Sequence, residues 1–480
     1  MRISMALLVV LASCGSTANP NVCCATTEQC TALGFDELRP CGAGQACGAD
    51  NACVAAECEV NADCDDAAPV CRLGFCESTC SGDADCADVE GRTHCLDSAC
   101  VGCVDSDQCG ASLSICDAEE HSCRGCELDS ECLSGVCIEI DGVCAEEARV
   151  VYATGNGGAT TGECTRTSPC KLDYALTKFR ATRDVVHLVS GTASLPSTTV
   201  EIVGGLTLDG APTQLLASAT PSFTANAGSS LTLEGLLLGN TFRATSMGGV
   251  MRVFDVQADR ATFTSTDGTL LVDKCTFRGD GLTGAVGCSG TGTFSFRRSH
   301  VFDANVGSGC NATIERNRFE ATQTAGPLTV QGGKAIVENN VFVTSDSGTD
   351  MIYMTGGVGS TFRFNTIVST NPTTYSAAAI YCDASIAISN NIFAYNSTNP
   401  ISGNGVCTVT SSLFDTQGTS DAGANAVGDR QTFFTDLSHA DFHLAPGSPA
   451  RDAGQLGLVQ TDIEGTLRDG NPDIGAYEAH

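Results

Sequence analysis

The residues best equipped for chemistry are the cations of the chain's second half: Lys274, Arg278, Arg297, Arg298, Arg316, Arg318 and Lys334, with His300 among them. A Lys or Arg can take the ring proton beside a uronate carboxylate while a bound cation neutralises that carboxylate, so the chemistry in view is β-elimination on an acidic glycan. Arg298, Arg316 and Lys334 fall at near-equivalent places in a repeating segment, which predicts a basic strip. Against catalysis, no aspartate cluster recurs at one repeat position to hold calcium, and surface cations also simply keep a rod soluble. Tyr353, Tyr375, Tyr381 and Tyr395 could offer rings to sugars or merely cap exposed turns; the chain has no Trp, the favoured sugar platform. A third set is acidic. Asn61 and Asp63, Asp83 and Asp85, Asp105 and Asp107, Asp129 and Glu131 set hard oxygen ligands at alternate positions, as Ca²⁺ prefers. Acidic loops are equally a solvated surface, and no other cofactor is indicated.

The elements that must position these groups announce themselves by repetition. IERNRF (314–319), VENNVF (337–342), FRFNTI (362–367), ISNNIF (388–393) and VTSSLF (409–414) share one pattern. Its fourth place holds Asn317, Asn340, Asn365, Asn391 and then Ser412; its sixth holds Phe319, Phe342, Ile367, Phe393 and Phe414. A fixed apolar pattern at a period of 20–30 residues marks stacked coils. Each phrase predicts an inward-facing strand, a turn at the Asn, whose side chain tolerates the left-handed conformation, and a second inward apolar residue. Stacking then gives an asparagine ladder and a phenylalanine column. LTLDG (206–210) and LTLEG (231–235) repeat at a step of 25, and VDKCTF (272–277) and FRRSHV (296–301) place Cys275 and Ser299 in the asparagine column. The expectation is all-β: a right-handed parallel β-helix of about ten coils, with Lys171 to Ala181 as a capping helix. Cys164 with Cys170, Cys288 with Cys310 and Cys382 with Cys407 are spaced to pair, leaving Cys275 a buried free thiol.

Composition divides the chain. Residues 15–148 carry 27 acidic and 4 basic residues within a total net charge of −31. Nucleic acid is an unsuitable partner for such a surface, since phosphate binding needs clustered Lys and Arg. Between Cys23 and Cys144 stand 22 cysteines, a density that reads as a disulfide scaffold in an exported chain. Four units begin Cys58-x5-Cys64, Cys80-x5-Cys86, Cys103-x5-Cys109 and Cys126-x5-Cys132, and each closes with two more cysteines. Four cysteines allow three pairings, and spacing does not choose among them.

The opening MRISMALLVVLASCGS is too short to span a bilayer and suits a secretory signal. Small residues before Cys14 resemble the bacterial lipoprotein signal. That resemblance implies removal of residues 1–13, lipidation of Cys14, a tether over 14–22 and, with Gly15 following, delivery to the outer membrane. The other reading is an ordinary signal cut near Ala18. The cysteine-rich region, 23–148, resembles the repeats of bacterial surface lipoproteins.

The end of the chain, FHLAPGSPARDAG (442–454) then TDIEGTLRDGNPDIGAYE (461–478), resembles the C-terminal signature of choice-of-anchor Q right-handed β-helix proteins. Ser448, Pro449, Asp452, Gly454, Asp462, Gly465, Arg468, Asp473, Gly475 and Glu478 occupy its places, and the likeness spans 149–480. Here the phrase is expected to form a lid at the rod's tip. Asp452, Asp462 and Asp473 would bond turn N–H groups, Arg468 would pair with a carboxylate, and Ile474 and Tyr477 would close the last coil. Polysaccharide lyases share the fold, but their catalytic motifs are not matched. The reading that results is a surface lipoprotein whose β-helix binds glycans without turnover; the alternative is a lyase acting on uronate-containing chains.

Overall fold

A computed structural model of the chain describes residues 23, 41, 45–47, 52–58, 70–72, 75–77, 80, 82–87, 91–110, 113–155, 157–196, 198–216, 222–239, 242–279, 285–302, 305–321, 326–345, 350–355, 357–371, 377–404, 407–415, 425–455 and 459–479. The signal, the tether and Cys14 lie outside them. The chain divides into two compact units, Met1–Glu147 with His480, and Ala148–Ala479.

In the first unit the three four-cysteine repeats that begin at Cys80, Cys103 and Cys126 are small hairpins closed by crossed bridges. The first cysteine pairs with the third and the second with the fourth: Cys80–Cys95 with Cys86–Cys100, Cys103–Cys116 with Cys109–Cys123, and Cys126–Cys137 with Cys132–Cys144. The residue three places after the first cysteine fixes the third. Asp83 accepts the Cys95 N–H at 2.8 Å, Ser106 the Cys116 N–H at 3.1 Å, and Asp129 the Cys137 N–H at 2.8 Å. A serine replaces the carboxylate with no change of role, so this position is read as a hydrogen-bond acceptor that shapes the hairpin. Cys23–Cys47 and Cys41–Cys53 bridge the irregular first repeat.

The second unit is an all-β solenoid. Its strands stack in parallel as three sheets, each coil contributing one strand to each. The first sheet includes Thr269–Asp273, Ala335–Glu338, Ser360–Arg363 and Ile386–Ser389; the second includes Arg318–Ala321, Val341–Thr344, Thr366–Ser369 and Ile392–Ala394. The third runs through ten strands, from Val200–Ile202 to Ile401–Ser402, in agreement with the coil count expected. Leu206 pairs with Leu231 and Leu208 with Leu233, so the LTLDG and LTLEG phrases are stacked neighbours. In the first sheet burial alternates along each strand, as in Ala335–Glu338 and Ser360–Arg363, whereas Val341–Thr344 and Thr366–Ser369 of the second sheet are buried throughout.

Phe319, Phe342, Ile367, Phe393 and Phe414 stand in one register. Phe319 and Phe342 stack with ring centroids 4.7 Å apart, as do Phe393 and Phe414. The asparagine ladder runs beside them, fully buried. Each Oδ1 accepts the backbone N–H of the ladder residue one coil earlier: Asn317 to Asn340 at 3.0 Å, Asn340 to Asn365 at 2.9 Å, Asn365 to Asn391 at 2.8 Å. Cys275 and Ser299 extend it at one end and Ser412 at the other.

One detail departs from expectation. The left-handed conformation falls on the residue before each ladder member: Lys274, Arg298, Arg316, Asn339, Phe364, Asn390 and Ser411 all have φ between 45° and 58°. The ladder asparagines are therefore held by what their amides bond, and the turn strain is borne by a neighbour of variable type, including Phe364, for which this conformation costs about 1–3 kcal/mol.

At the N-terminal end the helix is Leu172–Lys178, shorter than its apolar spacing implies, because Arg180 and Arg183 close a turn directly after it. Leu172 and Ala175 pack on the first core strands, and Cys164–Cys170 ties the adjoining loop. Cys288–Cys310 and Cys382–Cys407 staple neighbouring coils, while Cys275 is buried and free. No described helix is long and apolar enough to cross a membrane.

Candidate functional site

The third sheet carries a continuous outward row. Register places Thr224, Thr245, Thr264, Gly287, Gly307, Thr329, Tyr353, Tyr381 and Ser402 one above another on successive coils. Where the row lacks side chains the face sinks. Gly287, Gly307 and Gly309 floor a depression of about 470 Å³ whose walls include Thr264, Ser289, Thr329 and Gln331. A Cβ on Gly287 would meet the Gly307 carbonyl oxygen at 2.4 Å, so a side chain is excluded there by the backbone of the next coil. One coil beyond Thr329 the row becomes aromatic. Tyr353 and Tyr381 are both half-buried, with ring centroids 5.8 Å apart and planes tilted by 42°. Burial, followed by Asp350, raises the Tyr353 phenol pKa; Asp383 does the same for Tyr381, so both hydroxyls stay protonated.

Two of the four tyrosines singled out by sequence thus come together. Tyr395 does not join them: its side chain is 1% exposed, within the core, because its position follows the inward column rather than the outward row. Tyr375 lies outside the described residues.

The cations do not form the expected strip. Lys274, Arg298 and Arg316 share the left-handed turn that ends the first sheet, but Lys334 stands at the opposite end of that sheet, before Ala335. Most are also engaged. Arg298 bonds Asp273 through Nε at 2.8 Å and through Nη2, Arg297 meets Glu315 at 2.8 Å, and Arg318 meets Glu320 at 2.6 Å. His300 also reaches Glu320, at 3.1 Å. Arg316 donates to the Ile463 carbonyl at 3.1 Å. Lys274 sits over the Phe254 ring at 5.1 Å and Arg278 over Phe302 at 5.8 Å. Arg297 with Glu315 and Glu338 with Arg363 are opposite charges in register on successive coils, which makes them inter-coil ties, whereas Glu315 and Glu338 are like charges side by side. Lys334 is exposed.

The calcium candidates fare similarly. Asp83 and Asp129 already accept backbone N–H groups, and Glu131 accepts those of Glu127 and Leu128 at 2.8 and 3.0 Å. Asp63 and the Asp85 side chain lie outside the described residues.

The C-terminal signature is not a lid at the tip. It is a strap laid along the flank of the solenoid. Phe433, Phe434, Phe442, Leu444, Ile474 and Tyr477 pack on Val341, Val368, Ile392 and Leu413, the outward face of the second sheet. Polar groups lash the strap to the turn column: Asn339 Nδ2 donates to the Thr461 carbonyl at 2.6 Å, and Asn390 exchanges bonds with Gln455. Arg468 is the central clamp. It bonds Glu478 at 2.9 Å, the Gly475 carbonyl at 2.7 Å and Asn339 Oδ1 at 2.9 Å, and lies 4.3 Å from the Phe364 ring. Asp462 accepts three turn N–H groups and Asp473 two, whereas Asp452 supplies a backbone N–H to Asp473. Burial pushes the Glu478 carboxyl up to about 7 despite the nearby guanidinium. The charged cluster is consumed by structure. Its sequence signal was present: VFV (341–343) is apolar on both faces and TIV (366–368) turns Val368 outward, whereas QAD (257–259) and TFR (276–278) alternate, so the later coils require a cover.

No family model and no curated protein matches this sequence. Among solved structures the chain is similar to the one described as "Crystal structure of pectate lyase Pel9A", with a TM-score of 0.35 and 13% identity over 74% of this chain and 100% of that one.

Proposed function

We propose that the solenoid is a non-catalytic polysaccharide-binding module of a surface lipoprotein, anchored through Cys14 and belonging with the choice-of-anchor Q β-helix proteins that its C-terminal phrase resembles. The observation that carries this reading is the Tyr353–Tyr381 pair standing one coil beyond the glycine-floored groove on the same sheet. Half-exposed aromatic rings next to a shallow polar groove suit a chain-like ligand that presents alternating apolar ring faces and hydroxyls. The dense disulfides of the first unit fit an oxidising compartment outside the cytoplasm. The test is retardation of the purified chain in gels containing soluble polysaccharides, run beside an ultraviolet assay for unsaturated uronides. Retardation without product is expected. Release of product that disappears in Lys334→Met would replace this reading with the lyase, since Lys334 is the exposed cation nearest in sequence to Gln331 at the groove. Cell fractionation of Cys14→Ala, expected to release the protein from the membrane, tests the anchor.

A further inference from the structure

The third sheet differs from the rest of the chain in charge. Over seven successive coils the segments it contributes, Thr262–Thr266, 285–289, 305–309, Leu328–Val330, Ile352–Met354, Ile380–Cys382 and Ile401–Ser402, contain no Asp, Glu, Lys or Arg, in a chain of which 17% of residues are charged. The first sheet over the same coils carries Asp273, Arg297, Glu315, Glu338 and Arg363. The borders of the uncharged face are mainly acidic. Asp267 is exposed at one corner, holding the N–H and hydroxyl of Thr291, and Asp350 and Asp383 flank the two tyrosines. The exposed basic residues at that border are Arg260, two residues before Thr262, and Lys334.

Resting on the glycan-binding reading above, we infer that the groove takes an uncharged polysaccharide strand lying across the coils along the solenoid axis, and that it rejects uronate-bearing chains. From Thr264 to Tyr381 the row crosses six stacked strands, a track of about 24 Å at a strand spacing near 4.8 Å. Threonine and serine hydroxyls on this track donate and accept, which matches sugar hydroxyls, and none supplies the fixed positive charge that a desolvated carboxylate needs. The acidic border and the net charge of −31 add long-range repulsion of polyanions. Tyr353 and Tyr381 then give the strand its stacking platform, with Asp350 and Asp383 beside the phenols as acceptors for sugar hydroxyls.

The experiment is affinity electrophoresis of the full chain through hydroxyethyl cellulose, galactomannan, polygalacturonate and alginate, each at low and high salt. Retardation by a neutral polymer, insensitive to salt and weakened about ten-fold in Tyr381→Ala, is the expected result. Thr329→Trp, which fills the groove without touching the core, should abolish it; equal melting temperatures control for folding. Salt-sensitive retardation by polygalacturonate or alginate would overturn the inference while leaving a glycan-binding protein. Neutral-polymer retardation untouched by either variant would remove the groove from consideration. Absence of retardation by every polymer, including those outside this panel on a glycan array, would sink the glycan-binding reading itself.

Discussion

Replacing Asn365 with Ala tests the ladder at its centre. In the native coil its Oδ1 accepts both the N–H and the side-chain amide of Asn340, at 2.9 Å each, and its Nδ2 donates to the carbonyls of Val337 and Arg363 at 2.9 Å. Alanine leaves the buried Asn340 N–H with no acceptor, a loss of about 1–3 kcal/mol, and forfeits further bonds worth about 1 kcal/mol each. A small void adds to this, so the total is about 3–5 kcal/mol. Serine should recover part of it. Ser299 and Ser412 already occupy this column, and each accepts the N–H of the preceding member at 3.1 and 3.2 Å. Asn365→Ser is therefore expected to cost about half as much as Asn365→Ala, by the value of one restored acceptor. Hydrogen exchange at the Asn340 amide is the direct assay, because a solenoid can open locally without unfolding as a whole. Protection should fall steeply in Asn365→Ala and be largely kept in Asn365→Ser. Equal loss in both variants would refute the claim that acceptance of the neighbouring N–H is what the ladder position requires.

Further outcomes follow from the same geometry. Arg468→Met leaves Glu478 and Asn339 Oδ1 without their buried partner and should cost about 3–5 kcal/mol, read as new proteolytic cleavage within 430–479. Glu478, raised from its usual value to about 7, contributes stability that is fully present below about pH 4.5 and lost as pH rises through 7, a swing of about 3 kcal/mol. Denaturation midpoints in Glu478→Gln should lack that decline. Glu320 works in the opposite sense: His300, followed by Arg318, holds it down to about 2, so its contribution is present above about pH 4.5 and lost as pH falls through 2. In the first unit, Ser106→Ala should destabilise its hairpin by about 1–2 kcal/mol while chelation of calcium changes nothing, measured by melting with disulfides intact.

The coils were legible because stacking demands the same residue type at the same place in each turn, and the phrases at 314–414 meet that demand almost without exception. Cys275 and Ser299 could be placed in the asparagine column for the same reason. The strap was recognised as a unit but given the wrong seat. Asp462, Asp473 and Arg468 announce a bonded turn cluster, yet nothing in their own spacing says which surface it covers; that information sits a hundred residues earlier, in the doubly apolar VFV and the outward Val368 of TIV. The left-handed turn was misassigned by one residue because the propensity of Asn for that conformation competes with the need of its amide for buried partners, and burial won. Tyr353 and Tyr381 met because the interval between them equals one coil, whereas Tyr395 belongs to another sheet.

The strap also sets an order of events. Coils up to about residue 321 present mainly polar outward positions on the second sheet, and each can stack as soon as its successor is available. Those carrying Val341, Val368, Ile392 and Leu413 remain greasy on the outside until residues 433–477 have been made. A chain that stops short of Phe433 would therefore carry an intact rod with a sticky seam, and its natural fate is to zip against another copy of itself.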